Sequence, residues 1–344
     1  MRRLLNTLFV TTETAYLTLD GENIVVKDNG REIGRIPFVG LSDVISFSYM
    51  GASSALMGAC AERNIGLAFC KPSGRFLARV SGNEKGKNVL LRRTQYRMAD
   101  DLQKSCEIAR CFIVGKLYNA RCVIERTRRD HSLRIDDDKF RMASETLQGI
   151  LPNVYMETDL EALRGWEGAA AKVYFNVFDD MILRDKEHFF FRERSRRPPL
   201  DNVNAMLSFA YMLLEHDCAS ALASIGLDAY VGFLHRDRPG RESLALDLME
   251  ELRPCFADRF VLTLINNQVL KASDFEQKES GAVFMADAAR STFLKQWRIR
   301  KQEKITHPFL KEKMPWGLVP YIQALLLARF LRGDLDGYPA FLYK

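Results

Sequence analysis

Hydrophobic and polar residues alternate along the first part of the chain, a pattern that indicates half-buried β-strands. Residues 15–20 and 23–28 alternate in this way, and Asn29 and Gly30 follow them as a hairpin turn, because both residue types tolerate positive φ. A helix with a serine cap is predicted at residues 53–63. Further short strands are predicted at residues 32–38, 43–49, 65–70 and 75–80.

The period of the pattern changes to 3.6 after residues 81–87, a polar, glycine-containing tract where we place the domain boundary. Everything that follows is predicted to be helical. We therefore predict an α+β fold, with a small β-rich domain at residues 1–85 and a larger all-α domain at residues 86–344. The helices are predicted at residues 88–125, as one long helix or two, and at 157–183, 201–223, 243–252, 258–271, 282–304 and 315–331.

Composition narrows the class of protein. With 344 residues, of which 47% are hydrophobic and 27% charged, the chain is typical of a folded protein with two domains. The most apolar stretch, residues 321–331, is interrupted by Gln323 and Arg329, so no transmembrane span is predicted. The N-terminus does not fit a signal peptide, and the seven cysteines include no C-x-x-C pair. We expect a soluble cytoplasmic protein.

The net charge of +6 is mild, but the basic residues are clustered. Such clusters suit a polyanionic partner such as nucleic acid, because each phosphate that a basic side chain neutralises releases counterions. Judged by charge alone, a solvated helix face is the more common explanation. The clusters consist of Arg126, Arg128 and Arg129; of Arg192, Arg194, Arg196 and Arg197; and of Lys295, Arg298, Arg300 and Lys301.

Several widespread catalytic motifs are absent from the sequence. It contains no Gly-x-x-x-x-Gly-Lys-Ser/Thr loop, no Gly-x-Ser-x-Gly elbow and no His-Glu-x-x-His helix. His235, Arg236 and Asp237 match the start of a kinase catalytic loop, but the glycine-rich loop and the Asp-Phe-Gly that a kinase needs are missing. Any catalytic or metal-binding residues must therefore lie outside these motifs.

Three carboxylates and one histidine stand at unusual positions. Glu167 lies among small residues early in an apolar helix, and His235 ends an apolar run that a basic loop follows. Asp247 and Glu250 are three residues apart on a predicted helix, which places both acids on one face. Carboxylate oxygens with one imidazole nitrogen suit Mg²⁺ or Mn²⁺ better than zinc, and such an ion can polarise a phosphoryl oxygen.

The presence of each of these residues can also be explained by a structural role, with no part in catalysis or metal binding. Glutamates on helices are mostly solvated, and a lone histidine after an apolar run is usually a hydrogen-bonded cap. The two acids of the predicted helix could simply pair with Arg241 or Arg253. Sequence spacing does not show that the three segments meet in space.

Four segments, in the right order, resemble a known family. They are residues 166–175 (WEGAAAKVYF), 194–211 (RSRRPPLDNVNAMLSFAY), 232–235 (GFLH) and 243–250 (SLALDLME). The chain resembles the CRISPR-associated spacer-acquisition integrase and endonuclease, in the form found with subtype I-C systems. The resemblance covers essentially the whole chain, including the order of a β domain followed by an α domain.

The resemblance implies functional residues and partners. The family's metal-binding glutamate matches Glu167, its histidine matches His235 and its last acidic ligand matches Glu250, with Asp247 as a supporting acid. In some members the last ligand is aspartate, which is one methylene shorter. The implied cofactor is Mg²⁺ or Mn²⁺. The implied partners are a second copy of the chain bound through the β domain, a small ferredoxin-like protein, and double-stranded DNA.

The implied reaction is a metal-dependent transesterification: the 3′-hydroxyl of a short DNA fragment attacks a phosphodiester at the edge of a CRISPR repeat. Two alternatives stay open. One is a general metal-dependent nuclease that acts on branched or single-stranded nucleic acid with the same ligands, and the other is a non-catalytic DNA-binding scaffold. Charge and closeness in sequence to the ligand segments predict phosphate contacts at Arg194, Arg196, Arg197, Arg238 and Arg241.

If Arg196 and Arg197 contact phosphates, their replacement by alanine should flatten the salt dependence of DNA binding, because fewer counterions are released when the complex forms. The measurement is the apparent dissociation constant of a DNA duplex over a series of salt concentrations, with the parent protein as control. A slope equal to that of the parent would contradict the assignment.

Overall fold

The computed structural model divides the chain into two compact units. The first comprises the described residues between 6 and 80 together with Met285–Ile305 and Met314–Tyr321, and the second comprises the other described residues. The predicted domain boundary at residues 81–87 lies outside the described residues. The structure describes residues 6–10, 12–63, 65–70, 76–80 and 89–343.

The first unit contains a three-stranded and a four-stranded sheet. Its strands are β1 (Asn6–Val10), β2 (Ala15–Asp20), β3 (Asn23–Asp28), β4 (Arg31–Pro37), β5 (Leu41–Ser46), β6 (Gly66–Cys70) and β7 (Phe76–Val80). Strands β2, β3 and β4 form an antiparallel meander. In the other sheet the order is β1-β5-β6-β7, with β5 parallel to both β1 and β6, and β7 antiparallel to β6.

The predicted hairpin between β3 and β4 is confirmed. Asn29 has a φ of 48° and Gly30 a φ of 79°, the left-handed conformations that a tight turn of this kind needs. The register places Leu17 of β2 opposite Val26 of β3, and both side chains are buried. Strand β2 shows the predicted alternation, with Ala15 and Leu17 buried, whereas β3 buries three consecutive residues, Ile24, Val25 and Val26.

Helix α1 (Ser54–Glu62) covers the core of the first unit. It begins at the predicted serine, because the Ser53 side chain accepts a hydrogen bond from the backbone N–H of Leu56 at 3.2 Å. Its buried residues Leu56 and Cys60 pack in the same cluster as Leu17. The sequence analysis missed strand β1, whose partner β5 is distant in the sequence.

The rest of the chain is mainly helical, as predicted. The helices are α2 (Val89–Asp100), α3 (Leu102–His131), α4 (Asp137–Met156), α5 (Leu160–Asn176), α6 (Asn202–Ile225), α7 (Ser243–Glu250), α8 (Arg259–Asn266), α9 (Asp287–Gln302) and α10 (Val319–Leu331). Short strand pairs that were not predicted are β8 (Phe275–Gln277) with β9 (Val283–Met285), and β10 (Lys304–Thr306) with β11 (Lys313–Pro315).

The helical region predicted at residues 88–125 is two helices. Asp101 separates α2 from α3, and its carboxylate caps α3 by accepting hydrogen bonds from the backbone N–H groups of Gln103 and Lys104, both at 3.1 Å. Helix α4 was not predicted. It contains Pro152 near its C-terminal end, and proline usually ends a helical pattern.

The predicted fold class is confirmed: strands dominate the start of the chain and helices the remainder. Helix α9 belongs to the first unit, where it packs beside β1. None of the helices within the described ranges combines the length and the apolar character needed to cross a lipid bilayer.

The C-terminal segment is held against α3 by one buried amide. Asn119 Nδ2 donates to the backbone carbonyls of Glu251 at 2.6 Å and Phe341 at 2.7 Å, and its Oδ1 accepts from the backbone N–H of Tyr343 at 2.8 Å. The Asn119 side chain is inaccessible to solvent. It therefore satisfies three backbone groups that water cannot reach easily.

Asn119→Ala is expected to lower the free energy of unfolding by about 2 kcal/mol or more, because it leaves buried polar groups without partners. Urea denaturation measures this loss, and faster hydrogen exchange at the Tyr343 amide would locate it. The matched control is Asn153→Ala on the exposed face of α4, which should change stability by less than about 0.5 kcal/mol. Equal effects of the two substitutions would contradict the assignment.

Candidate functional site

Three of the predicted residues come together within the second unit. Glu167 lies on α5, Glu250 is the last residue of α7, and His235 lies in the segment between α6 and α7. Glu250 is only 2% exposed. The explanation of these acids as solvated helix positions therefore fails for Glu250, because a buried carboxylate needs compensating charge.

That charge comes from Lys116 on α3. Its ammonium group contacts Glu167 Oε1 and lies 2.7 Å from Glu250 Oε2. On the other side of the same carboxylate, His235 Nε2 is 3.8 Å from Glu250 Oε1. We call Lys116, Glu167, His235 and Glu250 the charged cluster.

A second cation completes the electrostatic balance of Glu250. Arg253 Nη1 lies 2.8 Å from Glu250 Oε1, one of the pairings considered from the sequence. Burial opposes the charge of Glu250, but Arg253, Lys116 and His235 outweigh it and lower the pKa of the carboxyl to about 2. Burial also opposes the charge of Lys116, and there Glu250 and Glu167 raise the pKa of the ammonium. Both partners are therefore charged at neutral pH.

Asp247 fixes the orientation of His235. The Asp247 side chain is fully buried, and its Oδ1 lies 2.6 Å from His235 Nδ1. Its carboxylate also accepts the backbone N–H groups of Phe233 at 2.6 Å, Leu234 at 2.9 Å and His235 at 3.0 Å. Because a carboxylate accepts, Nδ1 carries a proton, and Nε2 is the ring nitrogen that faces Glu250. Asp247 is thus a positioning residue.

The segment that carries His235 is tied to the helices around it. A Cβ atom on Gly232 would lie 2.8 Å from Asp247 Oδ2, so this close approach requires glycine. Arg164 on α5 donates to the Leu234 carbonyl at 2.8 Å, and Gln95 on α2 donates to the Val231 carbonyl at 2.8 Å. The helix bearing Glu167 is therefore coupled to the segment bearing His235.

The donor set of the cluster fits a hard divalent cation. It offers two carboxylates and an imidazole whose other nitrogen is held by a third carboxylate, an arrangement typical of metal-ligating histidines. In the part of the chain that the structure describes, no three His, Cys, Asp or Glu side chains are close enough to hold an ion as they stand. The ammonium of Lys116 lies between the carboxylates of Glu167 and Glu250.

The predicted phosphate-contacting arginines differ in their surroundings. Arg196, Arg197 and Arg238 are exposed, and Arg241 is half-buried. Arg194 is mostly enclosed, and its guanidinium donates to Asn204 Oδ1 at 2.6 Å and to Ser208 Oγ at 3.0 Å. A small cavity is lined by Arg194 and Arg196 together with two members of the charged cluster, Lys116 and Glu167.

Sequence reasoning missed two residues of this region. Lys116 is a lone charge in the apolar stretch at residues 111–118, which was a usable signal. Glu215 on α6 interrupts another apolar stretch. Burial raises the pKa of its carboxyl, although the nearby charges of Arg253, Arg197 and His235 act to lower it. Both are ionisable residues on helices, and their neighbours in the sequence are mainly apolar.

Comparison with known sequences identifies the family. Residues 8–298 match the family described as CRISPR associated protein Cas1. A CRISPR-associated endonuclease Cas1 of Chlorobaculum tepidum is 48% identical over 344 residues, with both chains covered completely. Another of Rhodospirillum rubrum is 49% identical over 353 residues, again covering both chains completely.

Solved structures share the fold. A casposase bound to its integration product has a TM-score of 0.83 and 22% identity, covering 98% of this chain and 94% of that chain. A Cas1 protein from Thermotoga maritima has a TM-score of 0.82 and 20% identity, covering 95% and 97% of the two chains. At such identities the likeness establishes the fold alone.

The fold, the charged cluster and the sequence relatives together define an enzyme of the CRISPR-associated endonuclease class. The chain belongs to the Cas1 family. The resemblance noted in the sequence is thereby confirmed at the level of the family, while the subtype I-C form stays a prediction.

The buried ion pairs generate a stability prediction. Lys116→Met should lower the free energy of unfolding by about 3 kcal/mol, because Glu250 stays buried and loses one of the two basic side chains, Lys116 and Arg253, that contact its carboxylate. The additional substitution Glu250→Gln should recover part of the loss, because it removes the uncompensated charge. The matched control is Lys172→Met, an exposed lysine on α5. The free energy of unfolding of each variant is measured by urea denaturation. A decrease in Lys116→Met no larger than that in Lys172→Met would refute the prediction.

Proposed function

We propose that this Cas1-family enzyme is a divalent-metal-dependent integrase that inserts short DNA fragments at a CRISPR repeat as new spacers. The observation that carries the proposal is that Glu167 and Glu250 meet at the ammonium of Lys116, while His235 Nε2 lies 3.8 Å from Glu250 Oε1. A cavity with three arginines in its wall, Arg194, Arg196 and Arg253, adjoins these side chains. Carboxylates around a cation, with guanidinium groups beside them, suit chemistry on a phosphodiester.

In this proposal Glu167, His235 and Glu250 hold Mg²⁺ or Mn²⁺, an ion that would supply stabilisation of the charge on the entering and leaving oxygens. The protein prepares these ligands in advance. The low pKa of Glu250 keeps its carboxylate ionised, and Asp247 holds the His235 ring with Nε2 directed towards Glu250. Lys116 supplies the compensating charge for the carboxylates while no divalent ion is bound.

The proposed reaction is a transesterification. The 3′-hydroxyl oxygen of the fragment forms a bond to a phosphorus at the repeat edge, the bond from that phosphorus to its own 3′ oxygen breaks, and the hydroxyl proton ends on the departing oxygen. One phosphodiester replaces another, so no external energy source is required. The exposed Arg196, Arg197 and Arg238 and the half-buried Arg241 are proposed to bind the DNA backbone.

Partners are proposed from the likeness to other proteins. One structure of this fold is a casposase bound to an integration product, and another is a Cas6-RT-Cas1–Cas2 complex, of which this chain covers 37% with a TM-score of 0.81. They support DNA as a partner here, together with a small ferredoxin-like protein of the Cas2 kind. We also propose a homodimer through the first unit. Exposed Val39, Tyr49 and Met50 in that unit offer apolar surface for it.

The decisive substitution for the reaction is Glu167→Gln, which keeps the size of the side chain and removes its charge. Purified protein, with and without the small partner, is incubated with a short duplex, a repeat-bearing supercoiled plasmid, and Mg²⁺ or Mn²⁺. We expect covalent joining at a repeat border, reduced at least about 100-fold in Glu167→Gln, since even the outer-shell partners of metal ligands are worth about 10- to 100-fold. Glu145→Gln, an exposed acid on α4, is the matched control.

Each outcome of this experiment separates the proposed function from its alternatives. Plasmid cutting without joining would favour a general nuclease that uses the same ligands. DNA binding without any reaction, unchanged in Glu167→Gln, would favour a non-catalytic scaffold. Joining that survives in Glu167→Gln would refute the role given to the charged cluster.

A further inference from the structure

The second unit contains a cavity of about 300 Å³ that shares no residue with the charged cluster. The C-terminal half of α3, the segment at residues 181–184 and helix α8 form its wall. Its lining includes Arg126, Asp130, Arg134, Arg184, Arg259 and Asn266. We call it the arginine cavity.

The lining of the arginine cavity carries an excess of positive charge. Four arginines face it and Asp130 is its one lining acid among the described residues. Asp130 is already engaged, because it lies 3.3 Å from Arg126 Nε and 3.0 Å from Arg129 Nε. Arg134 and Arg184 are exposed and have no acidic partner within ion-pair distance in the described ranges. An anion entering the cavity would therefore meet uncompensated guanidinium groups.

The structure splits the basic cluster that the sequence showed at the end of α3. Arg128 lies 2.9 Å from Asp137 Oδ1 and 3.2 Å from Glu125 Oε2, so its charge is neutralised within the fold. Of the three arginines in that cluster, Arg126 lines the cavity. The other arginines that line the cavity are Arg134, Arg184 and Arg259, which are far from one another in the sequence.

The wall of the arginine cavity is held in place before any ligand arrives. Asn266 on α8 accepts from the Leu183 backbone N–H at 2.7 Å and donates to the Met181 carbonyl at 2.9 Å, which fastens the 181–184 segment to the helix. The guanidinium of Arg259 lies 5.9 Å from the ring centroid of Tyr343. The backbone that forms this part of the wall is therefore fixed before binding, which lowers the conformational cost of binding a ligand.

The cavity is apolar as well as cationic. The side chains of Val123, Met181 and Leu262 are buried and form part of its lining. A bare inorganic anion would gain nothing from them, whereas a sugar or base attached to a phosphate would cover apolar surface. The volume of about 300 Å³ is at the lower end of the range for small-molecule sites.

We propose that the arginine cavity binds a phosphate-bearing nucleotide unit, either within a DNA strand or as a free nucleotide. The guanidinium groups of Arg134 and Arg184 would contact the phosphate, and the apolar lining would contact the attached sugar or base. In its DNA form the inference rests on the proposed function, because it gives the enzyme a second position for the backbone. The free-nucleotide form does not depend on that function.

The test compares the double variant Arg134→Gln/Arg184→Gln with the matched control Arg141→Gln/Arg332→Gln. The control removes the same charge from two exposed arginines that pair with Asp138 and Asp334. Binding of deoxyadenosine 5′-monophosphate and of a 30-base-pair duplex is measured across salt concentrations, in chelator so that no divalent ion takes part. Thermal melting checks that all variants are folded.

If the cavity binds a DNA strand, the double variant should lower the salt slope of duplex binding by about 0.9, because one phosphate is no longer neutralised, while the control retains the parent slope. If it binds a free nucleotide, the double variant should lose mononucleotide binding and keep the duplex slope. Parent-like behaviour of both probes in the double variant, or an equal change in the control, would overturn the proposal. Because no joining is measured, failure here is distinguishable from failure of the integrase proposal.

Discussion

A buried charge must be matched by an opposite charge, and the second unit depends on this constraint around Lys116. The ammonium of Lys116 compensates Glu250, which is only 2% exposed and so nearly dehydrated, and it also contacts Glu167. Its place depends on Gly115, where a Cβ atom would lie 2.8 Å from Glu251 Cβ. Glycine thus lets α3 approach the end of α7 closely, and the next residue along the helix reaches the carboxylates.

Helix α3 therefore links stability to the site. It carries Lys116 in its middle, and one turn later Asn119 holds the backbone of Glu251 and the C-terminal segment at Phe341. Glu251 in turn accepts the Phe341 backbone N–H at 2.7 Å, and its buried carboxyl has a pKa raised by burial to about 7. The C-terminal segment consequently supports the same stretch of chain that presents Glu250.

Local signals predicted much of the fold. The turn at Asn29 and Gly30, the cap at Ser53 and the helical periods are properties of neighbouring residues, so they can be read without the rest of the molecule. Strand β1 was missed because its stability comes from pairing with β5, and α4 because Pro152 resembles a helix end. Contacts with residues that are distant in the sequence decide whether such elements form. The hydrophobic periodicity of a segment carries no information about those contacts.

The candidate site, like the fold, has one part that the sequence predicted and another part that only the tertiary structure showed. Residue type, together with resemblance to a family, was enough to select Glu167, His235, Asp247 and Glu250. Only the tertiary structure decided that Glu167 and Glu250 share the ammonium of Lys116, that His235 faces Glu250, and that Asp247 orients the imidazole. The physical reason is that electrostatic compensation acts over a few ångströms in space, between groups that α3, α5 and α7 bring together from separate parts of the chain. The sequence by itself determined which groups carry charge, and the packing of the helices decided which charges meet.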